Sequence, residues 1–235
     1  MENLVTKSSV YLLKNTLKYI DKYAFTDFYA KINNFYIGFH RNDYEIGANE
    51  FSLIHLPKTG GTTIKSILVR NQVKNVLNID KHMPVSLSCN PEEYSYVTIM
   101  RNPIDRVFSY YQMQLRDKKQ PYHFHAKDGL ATLLRNCWEV NNTACMYYSG
   151  FIDANVDNKC YEIAKQNLNN FAFVGNFDNF NTDVSKLLSI LNLNIENIPI
   201  LNFHGIHEAT SKEIKLIESY NEFDIKLFNE FFKSF

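Results

Sequence analysis

From residue 51 onward the apolar residues fall into short runs with two different periods, and polar, turn-prone stretches separate them. Phe51–Leu56 is a compact apolar run stopped by Pro57 and predicts a strand. Ile64-Lys-Ser-Ile-Leu-Val69 opens a helix instead. Asn75–Asp80 reads as a second strand, and Tyr94–Met100, rich in β-branched and aromatic residues, as a third. Pro103 suits the first turn of a helix because its missing N–H costs nothing there, and the apolar spacing carries that helix to about Arg116. Residues 117–126 are polar, with one proline and two histidines, and predict a mobile loop or lid. Leu130–Met146 and Tyr161–Leu168 read as helices, Phe171–Val174 as a fourth strand, Val184–Leu191 and Ile217–Phe228 as the later helices. Residues 1–50 form an N-terminal helical or irregular lead-in, with a short amphipathic helix at Tyr11–Ile20. No internal repeat or low-complexity linker interrupts 51–235, so one domain is expected. Strands alternating with helices predict an α/β fold, a central mostly parallel sheet covered by helices on both faces.

Two joints in this pattern carry chemistry. The first is Pro57-Lys-Thr-Gly-Gly-Thr-Thr63, between the first strand and its helix. Such a turn aims unpaired backbone N–H groups and the positive end of a helix dipole at one point, which holds a phosphate-like anion. Gly60 and Gly61 admit close approach, Thr62 and Thr63 offer hydroxyls, and Lys58 adds a full charge. In the nucleotide-binding Walker loop the lysine follows the second glycine; here Lys58 precedes both. The second joint is Arg101-Asn-Pro-Ile-Asp-Arg-Val-Phe-Ser-Tyr-Tyr111. Arg101 stands at the carboxyl end of a strand, where ligands of open α/β sheets bind, and Ser109 lies about two turns along the next helix. A planar guanidinium suits phosphate better than an ammonium does.

Together these motifs resemble the sulfotransferases that use 3′-phosphoadenosine-5′-phosphosulfate (PAPS), in wording nearer the carbohydrate enzymes than the phenol and steroid ones. The likeness runs over about residues 50–230 and takes in Val174-Gly175 and the closing Asp224. It departs at Asp178-Asn179, where a basic residue is usual, and at Phe228, where tyrosine is usual. An Arg-Lys-Gly element near the C-terminus is missing. The resemblance implies a P-loop-like three-layer fold. It also implies that Lys58, Thr59 and the Gly60, Gly61, Thr62 and Thr63 segment hold the 5′-phosphosulfate, and that Arg101 and Ser109 hold the 3′-phosphate. Lys58 would neutralise the leaving phosphate. His82, just before Met83-Pro84 and between the two motifs, is similar to the family's catalytic base. The expected product is adenosine 3′,5′-bisphosphate, the acceptor a hydroxyl on a glycan or glycolipid, and no metal is required. His55, within the first strand, is a poorer base candidate and is expected to be packed; His123 and His125, in the lid, are placed to touch an acceptor, and His204 and His207, in a late loop, to close over the nucleotide. Two other classes remain open: a P-loop-like nucleotide kinase, and a non-catalytic module that binds nucleotides or sulfated glycans.

Composition narrows the partners. Twenty-five basic residues balance 25 acidic ones, which excludes a broad nucleic-acid footprint and makes any anion site local. Fifteen Tyr and 18 Phe supply core and, for some, a sugar-binding cleft. Cys89, Cys137, Cys145 and Cys160 form no C-x-x-C pair and are expected as buried free thiols. No signal peptide or apolar run near membrane length occurs, so the expectation is a soluble, cytoplasmic protein of bacterial type; the alternative is a Golgi-luminal domain without its anchor. Asn141-Asn-Thr143 fits a glycosylation sequon. Oligomeric state is not legible.

Overall fold

The computed structural model describes residues 51–77, 82, 84–85, 95–151, 156–193, 195, 198 and 208–233. The predicted lead-in 1–50, with Tyr11–Ile20, lies outside them, as do Cys89, His204 and His207.

Four strands, β1 (Phe51–Leu53), β2 (Val76–Leu77), β3 (Ser95–Met100) and β4 (Phe173–Asn176), make one parallel sheet in the order β2-β1-β3-β4. Parallel pairing needs crossovers, and helices supply them. The first crossover is α1 (Gly61–Arg70); β3 leads into α2 (Pro103–Arg116). Next come α3 (His123–Lys127), α4 (Leu130–Asn136), a 3-10 turn at Trp138–Val140, α5 (Thr143–Ser149) and α6 (Asn158–Asn169). After β4 a 3-10 turn at Phe177–Asn179 opens α7 (Phe180–Ile190), and α8 (Ser211–Tyr220) and α9 (Glu222–Phe232) close the chain.

β3 runs through the centre and is buried from Tyr96 to Met100, as a strand covered on both faces must be. Its alternation sorts the helices. Val97 and Ile99 join Phe51 and Leu53 under α1 and α7, through Ile64, Leu68, Val184 and Leu187. Tyr96 and Met100 face α5, α6 and α9, through Tyr147, Tyr148, Tyr161, Leu227 and Phe228. That is the expected three-layer arrangement. A third cluster joins α2, α4 and α8 around Val107, Leu133 and Ile217. Thr98, buried on β3, is satisfied by donating to the Ile54 carbonyl at 2.7 Å and pairing with the Tyr148 hydroxyl at 3.0 Å.

Several expected boundaries move. The single helix over Leu130–Met146 is two helices and a 3-10 turn: Cys137 turns extended after α4, and Asn142 takes a left-handed φ of 46° before α5. In that conformation its side-chain oxygen accepts from the amides of Phe223 and Asp224, and its own N–H donates to Asn221 Oδ1. The closing helix breaks at the same place in space, at Asn221 between α8 and α9. β4 lies two residues later than the predicted Phe171–Val174. The predicted lid at 117–126 is folded: Asp117 caps its turn through Lys119 and Gln120, and α3 packs back on α2. The sequon at Asn141 is engaged rather than displayed, since its amide donates to the Leu134 carbonyl at 2.6 Å and Thr143 is fully buried. Cys137, Cys145 and Cys160 are buried free thiols, as expected.

Candidate active site

The loop after β1 turns sharply. Lys58 sits at a positive φ of 73° and Gly60 at 82°, so two left-handed residues deliver the chain into α1. Left-handed backbone is costly for a lysine, and such strain concentrates at functional sites. Thr59 is buried and donates its hydroxyl to the Leu56 carbonyl at 3.0 Å, which makes it a brace of the turn. Thr63 is also buried, and its N–H bonds the Gly60 carbonyl at 3.0 Å. The N–H groups of Gly61 and Thr62, first in the helix, take no acceptor among the described residues. They are the loop's open donors, and Thr62 adds an exposed hydroxyl.

Both glycines are demanded by their neighbours. A Cβ on Gly60 would come within 2.3 Å of the Phe180 ring. One on Gly61 would meet the His55 imidazole at 1.7–1.8 Å, at Cε1 and Nε2.

Lys58 reaches back so that Nζ lies 3.8 Å from Met113 Sδ on α2. Burial, then the charges of Arg116 and Arg101, pull its ammonium below the usual lysine range. Arg101 leaves β3 and donates from a terminal nitrogen to the Lys58 carbonyl at 3.1 Å. Its guanidinium also lies 4.5 Å above the Phe177 ring centre. The two sequence motifs, 43 residues apart, are thus in direct contact. Burial lowers the Arg101 pKa, while Asp105 and Asp178 act in the opposite sense. Asp105 itself is raised, chiefly by burial. Asn102 caps α2 by accepting from the Ile104 N–H, with Pro103 in the first turn as expected. Ser109 is half-buried on that helix.

Arg106, from the same motif, points the other way. It is buried and donates to the Glu139 carbonyl at 3.2 Å and to Thr143 Oγ1 at 3.1 Å, 4.0 Å from Asp224. Asp224 accepts the amides of Ala144 and Cys145 at the start of α5. Arg106 therefore ties α2 to α5 and α9.

His82 lies beside the loop. Its Nδ1 is 2.9 Å from the His55 carbonyl, an acceptor only, so Nδ1 carries the proton and the lone pair of the neutral ring is on Nε2. His82 is exposed, its carbonyl accepts from Tyr147 at 3.5 Å, and its ring centre is 4.4 Å from that of His55. His55 is packed, as predicted, and burial holds its pKa down to about 3, with the His82 charge a smaller cause. His123, expected from the sequence to reach an acceptor, is instead turned inward and bonds the Gln114 carbonyl at 2.8 Å.

Sequence reasoning missed the aromatic floor, Phe177 and Phe180, and the contact of His55 with Gly61. The first had a signal in the aromatic residues that follow Val174-Gly175; the second depends on a turn geometry that spacing alone does not encode.

A model of the sulfotransferase family matches residues 47–232, nearly all of the described fold. The chain belongs to that family: it is a sulfotransferase, moving a sulfuryl group to a hydroxyl-bearing acceptor. No curated protein matches it. Among the described residues no helix is long and apolar enough to cross a membrane.

Proposed function

We propose that this sulfotransferase takes its sulfuryl group from PAPS and delivers it to a carbohydrate hydroxyl by in-line displacement. The observation that carries the reading is the Arg101–Lys58 contact at 3.1 Å, which sets a guanidinium beside the phosphosulfate loop. The charges of Arg116 and Arg101 both bear on Lys58 and lower its pKa, an arrangement that an anion relieves. The open amides of Gly61 and Thr62 suit the 5′-phosphate, and Arg101 with Ser109 suits the 3′-phosphate. Phe177 and Phe180 give the nucleotide an apolar floor.

In the transfer, the acceptor oxygen bonds to sulfur as the bond from sulfur to the 5′-phosphate oxygen breaks. The acceptor's proton passes to Nε2 of His82, whose other nitrogen is already held as a donor. The electron pair goes to the phosphate, where Lys58 neutralises it. The carbohydrate assignment draws on the likeness of the two motifs to carbohydrate sulfotransferases. A cytoplasmic location and the soluble state belong to the same proposal.

The test is calorimetric titration with adenosine 3′,5′-bisphosphate, with AMP and ATP as controls. Micromolar binding that needs the 3′-phosphate supports the donor site. Equal binding of ATP and the bisphosphate, or binding of neither, overturns it.

A further inference from the structure

The His55 side chain takes no part in the transfer as described, and three observations converge on it. Its Nδ1 is buried with no hydrogen-bond partner. The outer edge of the ring, Cε1 and Nε2 with Cδ2 behind them, occupies the space where a Cβ of Gly61 would stand, 1.7, 1.8 and 2.6 Å from that point. Gly61 is the first residue of α1, a helix of 10 residues. Cα–Cβ bonds tilt toward a helix N-terminus, so that edge lies at the positive end of α1, beside the open amides of Gly61 and Thr62.

The tautomer follows from the cost of burial. An orphaned buried donor is rarer than an under-used acceptor, so the lone pair belongs on Nδ1 and the proton on Nε2. The ring stays neutral at working pH, because burial opposes its charge and so does His82 at 4.4 Å. A neutral imidazole at a helix N-terminus can donate a hydrogen bond without ever releasing its proton, the electrophilic role that such a ring plays in triosephosphate isomerase.

We infer that His55 is a second, neutral histidine of the active site, whose Nε2–H donates to an oxygen of the transferring sulfuryl group. His82 then works as the base and His55 as a fixed donor, with their rings in contact and their protons on different nitrogens. A donor aimed at sulfuryl oxygens stabilises the charge they carry during transfer and orients the group for in-line attack. The inference rests on the PAPS reading, and the experiment separates the two.

The probes are PAPS and adenosine 3′,5′-bisphosphate, which differ by the sulfuryl group alone. His55→Gln places an amide N–H near the position of Nε2; His55→Asn reaches only the position of Nδ1. The expected result is that His55→Asn weakens PAPS about tenfold, the effect of one hydrogen bond to a charged group. Its affinity for the bisphosphate stays within about twofold, and His55→Gln stays near wild type for both ligands. Thermal unfolding confirms that each variant is folded. Equal loss of both ligands in His55→Asn, or unchanged PAPS affinity, overturns the donor role. Failure of the wild type to bind the bisphosphate would refute the PAPS reading itself.

Discussion

Replacing Gly61 with alanine adds one methyl group in a place that the His55 ring already fills. Gly61 does not have a positive φ, so alanine meets no backbone strain there. The new Cβ would lie 1.7 Å from Cε1, whereas ordinary contact begins near 3.4 Å. The ring must therefore retreat by about half its contact distance, against His82 on one side and a closely packed strand end on the other. Overpacking of this kind costs about 1–3 kcal/mol. Without the ring, the same substitution is neutral or gains up to about 1 kcal/mol, because alanine is the better helix former. The assay is a double-mutant cycle by urea unfolding: wild type, Gly61→Ala, His55→Ala and the pair. A coupling energy of at least about 1 kcal/mol, with alanine tolerated once the ring is gone, is expected. Gly60→Ala is the control, since its cost comes from φ 82° and from Phe180 and survives His55→Ala. Equal cost of Gly61→Ala in both backgrounds would refute the placement of His55 against the loop.

Arg101→Ala should weaken adenosine 3′,5′-bisphosphate by about 1.5–3 kcal/mol in calorimetry while unfolding at nearly the wild-type midpoint. Unchanged affinity would remove Arg101 from the 3′-phosphate site. Arg106→Ala, in the same motif, should instead destabilise the fold by about 3–5 kcal/mol in urea, because it strands the buried Asp224. Lys58 is held below its usual pKa, and a bound anion raises it again, so binding takes up a proton at alkaline pH and affinity falls as pH rises. Binding enthalpies in two buffers of different ionisation enthalpy read that proton; identical values would contradict it. His55 has a folded pKa of about 3 against 6.5 unfolded, so the unfolded chain binds the extra proton between those values and stability falls as pH drops. Between pH 7 and 5 the loss should be at most about 2 kcal/mol, absent in His55→Gln.

Where local pattern decided the structure, it was legible. Asn102-Pro103 carries its own cap and first turn, and α2 ends at Arg116 as the apolar spacing predicts. Tyr96–Met100 needed only its β-branched and aromatic content. The misses share a cause, a partner distant in sequence. Asn142 starts α5 as a separate helix, its side chain meeting amides about 80 residues away, at Phe223 and Asp224. No rule of spacing foresees that. Ala172 donates to the Tyr96 carbonyl just before β4 begins, and Gly175 within it packs where a Cβ would strike Ile99 at 2.5 Å. In its local sequence that glycine looks like the end of a strand; in the sheet it is the residue that lets β4 approach β3.

The site itself divides along the same line. Residue types at the two motifs predict an anion site, since a lysine, two glycines and an arginine at strand ends have few other uses together. Their division of labour needed coordinates. Arg101 and Arg106 are five residues apart in one motif, yet one braces the loop carbonyl at Lys58 and the other is consumed in the core by Glu139, Thr143 and Asp224. Helical spacing explains the split: Arg101 precedes α2 at the sheet's carboxyl edge, whereas Arg106 falls on the face that carries Val107 and Tyr110 inward. Thr59 and Thr63 divide from Thr62 in the same way, two hydroxyls turned into the fold and one outward. A ligand that binds here therefore meets backbone amides first and side chains second. Substitutions at Thr59 should act through the shape of the turn, and those at Arg101 through both the ligand and the turn.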